Sequence, residues 1–202
     1  MNRAALKSEA KIQIKGKIGI LFLITLIVGA LSFAATLVLS FIPFVGSLIA
    51  AIIVTPAFSL SIIRVYLMVS NGNKPTAGDS FSGFDDFWSA FKVSFLTGLF
   101  TFLWSLLFVI PGIVKSYAYS MSMYILAENK GKPALECIRE SKEMTQGHKM
   151  ELFVLGLSFI GWVLLGTITF GIAYIWVLPY MQTTMANAYK SLKPASVANA
   201  QF

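Results

Sequence analysis

The sequence predicts an all-α membrane bundle: about six membrane segments in three hairpins, short amphipathic interfacial helices, and both termini cytoplasmic. Three observations lead there. Of the 202 residues, 56% are hydrophobic and only 12% are charged, against about 25% charged in an average soluble domain, so a water-exposed surface is hard to build. The apolar residues fall in long runs, each close to the roughly 20 residues that cross a bilayer. The basic residues fall in short blocks beside those runs.

Arg3, Lys7, Lys11 and Lys15 recur every four residues and form a basic stripe along a helix. The apolar run from about Ile18 to Ile42 follows. It is far longer than the roughly 7–15-residue core of a signal peptide, so it reads as an uncleaved span. Pro43 and Gly46 punctuate it, and a second segment runs from about Ser47 to Val69. Asn71–Ser80 is a polar loop. Phe84, Phe87, Trp88 and Phe91 then place four rings on one helical face, which predicts a short amphipathic helix at the bilayer interface. A third segment runs from about Val93 to Ile110, where Pro111 and Gly112 break it. The stretch IPGIVKSYAYSMSMYILAENKGKP begins there and supplies a fourth segment, to about Ala127. Glu128–Lys149 is polar: Pro133 suits the first turn of a helix, Leu135 and Ile138 give it an apolar edge, Arg139 and Glu143 are spaced for an ion pair, and Gly147 ends it. Segments five (about Leu152–Gly166) and six (about Ile168–Tyr189) flank a turn at Thr169–Gly171. Residues 1–193 form one membrane domain, and residues 194–202 a flexible tail.

The net charge is +7, and its distribution tests this topology. Apart from Arg64 and Lys115, the 16 basic residues lie in four groups. Arg3, Lys7, Lys11, Lys15 and Lys17 precede the first segment. Lys74 and Lys92 flank the first polar loop. Lys130, Lys132, Arg139, Lys142 and Lys149 lie in the second, and Lys190 and Lys193 follow segment six. The three turns carry none. Cytoplasmic loops hold the excess of Lys and Arg, and all four groups share a side only if residues 113–127 return to it, as a span or a re-entrant helix. A polar, partly amphipathic stretch precedes each hairpin, in the manner of a threefold repeat.

Two cations remain at membrane depth. Arg64 lies near the end of segment two and is expected to snorkel to the interface. Lys115, Ser116, Tyr119, Ser120 and Met123 share one helical face, with Ser122 at its margin, while Tyr117, Met121, Tyr124 and Ile125 lie opposite. Such a stripe faces the bundle interior or a wet cavity. It serves either helix packing or a polar cavity at Lys115, Ser116, Tyr119 and Ser120. No carboxylate lies inside a span.

Function is far less legible. One cysteine, Cys137, and one histidine, His148, speak against zinc or haem centres. No phosphate-binding loop and no hydrolase or metalloprotease motif is present. The expectation is a non-enzymatic accessory, scaffold or envelope-homeostasis protein without cofactors, and without nucleic acid as a partner. Arg3, Lys7, Lys11, Lys15, Trp88, His148 and Lys149 are the candidate contacts for anionic lipid headgroups. A second copy or another membrane protein is a further candidate partner. The alternative expectation is a transporter or exporter component with a polar cavity near Lys115.

The strings IPGIVKSYAYSMSMYILAEN, ESKEMTQGHKMELFVLGLSFIGWVLL and TFGIAYIWVLPYMQTTMANAYKSL resemble a bacterial integral-membrane family, domain of unknown function nine hundred seventy-five. The likeness is densest from Pro111 to Tyr189. It implies a plasma-membrane protein of a bacterium and carries no activity. It makes Lys115, Tyr117, Tyr119, Ser120, Gly147, His148, Lys149, Gly161, Trp162, Pro179 and Tyr180 motif positions without roles.

Overall fold

The computed structural model describes residues 2–40 and 54–193. The expected turn at Pro43 and Gly46, the start of segment two at Ser47 and the tail over 194–202 lie outside them. The described residues are helical, without strands. Ten helices follow one another: α1 (Arg3–Ile14), α2 (Ile18–Ser40), α3 (Thr55–Ser70), α4 (Phe87–Leu107), α5 (Val109–Tyr119), α6 (Ser122–Glu128), α7 (Ala134–Met144), α8 (Lys149–Leu157), α9 (Ile160–Ile168) and α10 (Tyr174–Leu192). Two short 3-10 turns, Ala77–Phe81 and Phe84–Asp86, lead into α4.

Three helical stretches, Ile18–Val38, Ala77–Leu107 and Lys149–Ile168, are long and apolar enough to cross a membrane, the mark of a membrane protein. The other expected segments depart from a simple span. The described part of the second, α3, has 16 residues. The fourth divides into α5 and α6. The sixth, α10, carries Gln182, Thr183, Thr184, Asn187 and Lys190 along its second half.

Two boundaries differ from expectation. The rings from Phe87 to Phe91 belong to α4 itself and form no separate interfacial helix. Phe87 stacks on Phe91 and Phe91 on Phe95 at 6.5 and 5.9 Å, which carries the aromatic face straight into the span. The break after α4 falls at Phe108, whose backbone is extended (φ −159°, ψ 147°), and Pro111 sits inside the first turn of α5. A first-turn residue needs no intrahelical partner for its N–H, so proline starts this helix where the sequence suggested it would end one.

The core forms where α1, α3, α6 and α10 meet. Leu6, Ala10 and Ile14 of α1, Leu60 and Val65 of α3, Tyr124 of α6 and Tyr189 of α10 are buried together, and Tyr124 stacks on Tyr189 at 5.4 Å. Polar bonds tie the same helices at one end. Asn187 Nδ2 donates to Gln13 Oε1 (2.9 Å), Gln13 Nε2 to the Ser70 carbonyl (2.9 Å), and Lys190 Nζ to that carbonyl (2.8 Å). Lys17 Nζ donates to the carbonyls of Gly72 and Asn73 (3.1 and 3.0 Å). The start of the chain, the loop after α3 and the end of α10 therefore share an end. The apolar turns at Phe108 and Phe170 bear none of these ties, and Phe170 is 98% exposed at φ +51°.

Arg64 does not snorkel. It is 8% exposed, its Nη2 donates to Asp86 Oδ2 at 2.7 Å, and its Nη1 donates to the Ser82 carbonyl. Asp86 lies 22 residues on, in the loop that the 3-10 turns fold back over α3, so the cation finds its partner inside the protein. Arg139 reaches Glu136 at 3.9 Å, one helical turn back, in place of Glu143. On α7 Leu135 is exposed, and the packed face is Ala134, Cys137, Ile138 and Ser141.

Candidate functional site

α4 and α5 form a tight hairpin because small residues meet where they cross. A Cβ added at Gly112 would lie 2.1 Å from Ser105 Oγ and 2.9 Å from its Cα, so glycine sets how closely the two backbones approach. Along α4, Ser94, Thr97, Gly98, Thr101 and Ser105 fall at i, i+3, i+4, i+7 and i+11, one stripe of a helix. That stripe faces Ser116, Tyr119, Ser120, Ser122 and Met123 across an open cavity of about 580 Å³.

The far wall exists because α5 and α6 are broken apart at Ser120 and Met121. A helix break frees backbone groups that need new partners where they are buried. Here α7 supplies the replacements. Met121 N–H donates to Ser141 Oγ (3.2 Å), and Ser141 Oγ donates to the Ala118 carbonyl (2.8 Å), which Thr145 Oγ1 also approaches at 3.4 Å. Ser141 and Thr145 are fully buried. The polar helix thus reaches into the bundle and props open the bend that lines the cavity.

Of the five residues placed on the predicted polar face, Ser116, Tyr119, Ser120 and Met123 line the cavity, joined by Ser122. Lys115 stands beside it, with Nζ 4.4 Å from the ring centroid of Trp104, a cation–π contact. The opposite face packs inward, with Tyr117 edge-on to Phe153 at 5.8 Å. The α4 stripe escaped sequence reasoning, although its spacing is visible in VSFLTGLFTFLWS: the rings and leucines between its members dominate that window.

The candidate headgroup contacts divide. Arg3, Lys11 and Lys15 are exposed along α1. Lys7 is docked: its Nζ lies 4.3 Å from the Phe159 ring centroid and donates to the Ser158 carbonyl at 3.2 Å, where α8 gives way to α9. Burial first, then the charges of Arg3 and Lys11, hold its ammonium below the usual lysine range. Lys11 Nζ lies 5.6 Å from the ring centroid of Tyr180. Trp88 is exposed at the start of α4. His148 Nδ1 meets Glu151 Oε2 at 3.0 Å beside Lys149, and the structure brings neither His148 nor Lys149 to the cavity.

A second cavity, also about 580 Å³, lies between α6, α7 and the end of α10, lined by Glu128, Lys132, Glu140, Glu143, His148 and Lys193 among others. Its charges are largely spent on one another. Glu128 accepts from Tyr189 Oη (2.8 Å) and pairs with Lys193, and Lys132 pairs with Glu140 at 2.6 Å. Among the described residues no cluster of His, Cys, Asp and Glu could hold a metal ion. Cys137 is buried, and desolvation pushes its thiol up to about 11.

A family model described as a protein of unknown function, DUF975, matches residues 1–115 and 106–196. No curated protein and no solved structure matches the chain.

Proposed function

The chain belongs to the DUF975 family of proteins of unknown function, and from that premise we propose a non-enzymatic membrane protein that holds anionic lipid headgroups along its basic end. The observation that carries this reading is the division of α1. Leu6, Ala10 and Ile14 are buried against α3 and α10, while Arg3, Lys11 and Lys15 project outward. Lys15 adjoins Lys17, which with Lys190 ties the loop after α3 at one end of the bundle, and the exterior carries exposed Phe22, Leu26, Phe95, Leu99 and Leu164. A cation held near an anionic leaflet contributes about 1 kcal/mol to attraction. In this reading the basic end is cytoplasmic, both termini lie there, and the apolar turns at Phe108 and Phe170 face the other side of a bacterial plasma membrane.

The test uses the full chain in nanodiscs of phosphatidylcholine and phosphatidylglycerol. Arg3, Lys11 and Lys15 are changed to Gln, while Lys7 is left in its structural contacts. Native mass spectrometry should then find several-fold less phosphatidylglycerol retained by the variant. Equal retention removes the reading.

A second reading follows from the cavity between α4 and α5–α6, whose hydroxyl lining suits a component of a transporter or exporter. It requires solute flux in proteoliposomes that Gly98→Leu blocks while the protein stays folded.

A further inference from the structure

Three helices, α5, α7 and α8, bring together three lysines that the fold leaves without a counter-charge. Buried contacts hold the arrangement. Ser141 Oγ and Thr145 Oγ1 lie 2.8 and 3.4 Å from the Ala118 carbonyl. They set the last turn of α7, which bears Lys142, against the turn of α5 that starts at Lys115. Tyr117 of α5 meets Phe153 edge-on at 5.8 Å, and Phe153 stands one turn beyond Lys149 on α8. The Lys115 ammonium is itself steadied over the Trp104 ring. The charges that act on it are those of Lys142 and Lys149, with no carboxylate of the described residues among them. Like charges held this close repel one another.

The neighbouring cations are treated differently. In the same polar stretch, Lys130 pairs with Asp85 at 3.5 Å, Lys132 with Glu140 at 2.6 Å and Arg139 with Glu136 at 3.9 Å. Lys142 and Lys149 have no ion pair among the described residues. The acids next to them in sequence are placed elsewhere: Glu143 lines the cavity between α6, α7 and α10, and Glu151 meets His148 at 3.0 Å. Lys142 is exposed, and Lys115 and Lys149 are half-buried, so the cluster is open to a ligand. Trp104, Ile113 and Val114 are exposed around Lys115, so apolar surface adjoins the charge.

We infer that Lys115, Lys142 and Lys149 bind a phosphomonoester group. An ammonium acts on phosphate as a compact point charge and needs no planar partner. A phosphomonoester carries about 1.5–2 negative charges near neutral pH, more than the single charge of a phosphodiester, so three cations with no carboxylate favour it. A zwitterionic headgroup would add its own cation to the cluster, and a neutral one would leave the repulsion in place. The group can arrive on a membrane lipid, whose chains would meet the apolar surface at Lys115, or on a free small molecule. The site uses none of Arg3, Lys11 and Lys15, so it goes beyond headgroup retention along α1 and does not depend on it.

The experiment places the full chain in nanodiscs of phosphatidylcholine with equal amounts of phosphatidic acid and phosphatidylglycerol at pH 8, and native mass spectrometry reads the lipid retained. A second arm offers glycerol 3-phosphate to nanodiscs of phosphatidylcholine alone and follows its phosphorus NMR line width. Retained phosphatidic acid should exceed phosphatidylglycerol roughly fivefold or more. Lys142→Gln with Lys149→Gln should abolish that preference, and Lys142→Arg with Lys149→Arg should keep it, which separates charge from packing. Lys142→Gln alone, at an exposed position, should already weaken it. The variant of Arg3, Lys11 and Lys15 should keep the preference, so the two readings fail separately. Enrichment of phosphatidic acid supports the inference with a lipid source. Broadening of glycerol 3-phosphate that the Gln pair removes, without lipid enrichment, supports it with a free one. Equal retention of the two lipids with no broadening, or Gln variants that bind as the parent does, overturns it.

Discussion

Arg64 shows how a single charge depends on a distant partner. The guanidinium is buried, and its pairing with Asp86 fastens the loop between α3 and α4. Removing one partner of a buried pair leaves an uncompensated charge and costs about 3–5 kcal/mol, whereas replacing both by apolar groups can be neutral. Asp86→Leu should therefore lower thermal stability in detergent sharply, and Arg64→Met with Asp86→Leu should recover much of the loss. Gly83 secures the same loop: its N–H donates to Ser61 Oγ at 2.8 Å, and an added Cβ would lie 2.0 Å from the Ala57 carbonyl oxygen. Cys137 gives a pH-dependent test. Burial raises its thiol to about 11 from the 9.0 of a free cysteine, so the folded protein resists alkylation at pH 8 while denatured chain reacts. Its contribution to stability is constant below pH 9. Between 9 and 11 the unfolded chain ionises first, and that contribution is lost. Fast native alkylation at pH 8 would refute the burial of this side chain. Both charges of the Arg64 pair are visible in the sequence. Their meeting is not, because it depends on a turn 18 to 22 residues downstream that propensity does not define.

At the scale of elements, the bend between α5 and α6 depends on α7. Ser141→Ala leaves Met121 N–H without its partner and weakens the cover on the Ala118 carbonyl, a cost of about 1–3 kcal/mol. Hydrogen exchange at Met121 should accelerate in this variant while exchange within α10 stays unchanged; uniform acceleration would mean that α7 merely packs. The polar face of α5 was legible from the spacing of Ser116, Tyr119 and Ser120, because a helical period places them together whatever the tertiary fold. The break at Ser120 was not legible, since nothing in KSYAYSMSMY differs from a continuous helix. It exists because α7 offers hydroxyls to the freed backbone. Phe108 was missed for a related reason: proline is a stop signal inside a helix and a start signal in its first turn, and local sequence alone does not say which turn it occupies.

Across the whole molecule, side chains from distant parts of the chain meet at one end. The hydrogen bonds of Gln13, Lys17, Asn187 and Lys190 unite three regions that carry Lys and Arg. The all-helical class and the apolar spans were equally open to reading, because composition constrains them directly. The count of spans was not, as α10 mixes core-facing polar groups with an apolar first half. Orientation in the membrane is open to a direct test. Asn129 is exposed, and Cys137 is buried and thus a quiet background. Asn129→Cys should react with an impermeant maleimide only from the cytoplasmic side, and labelling of intact cells from outside would invert the proposed topology.

The bond from Asn187 to Gln13 joins residues 174 positions apart, and that separation has a consequence for biosynthesis. At about 5–20 residues per second, roughly 9–35 s pass between the emergence of α1 and that of its partner on α10. Throughout that interval the first helix has only part of its seat, because its contacts on α3 are present and those on α10 are not. The face that α10 will cover stays open, and the segment made first is completed last. Chains halted before residue 174 should therefore keep α1 open to trypsin at Lys11, whose ring partner Tyr180 is missing, while chains released complete should lose that sensitivity as the bundle closes.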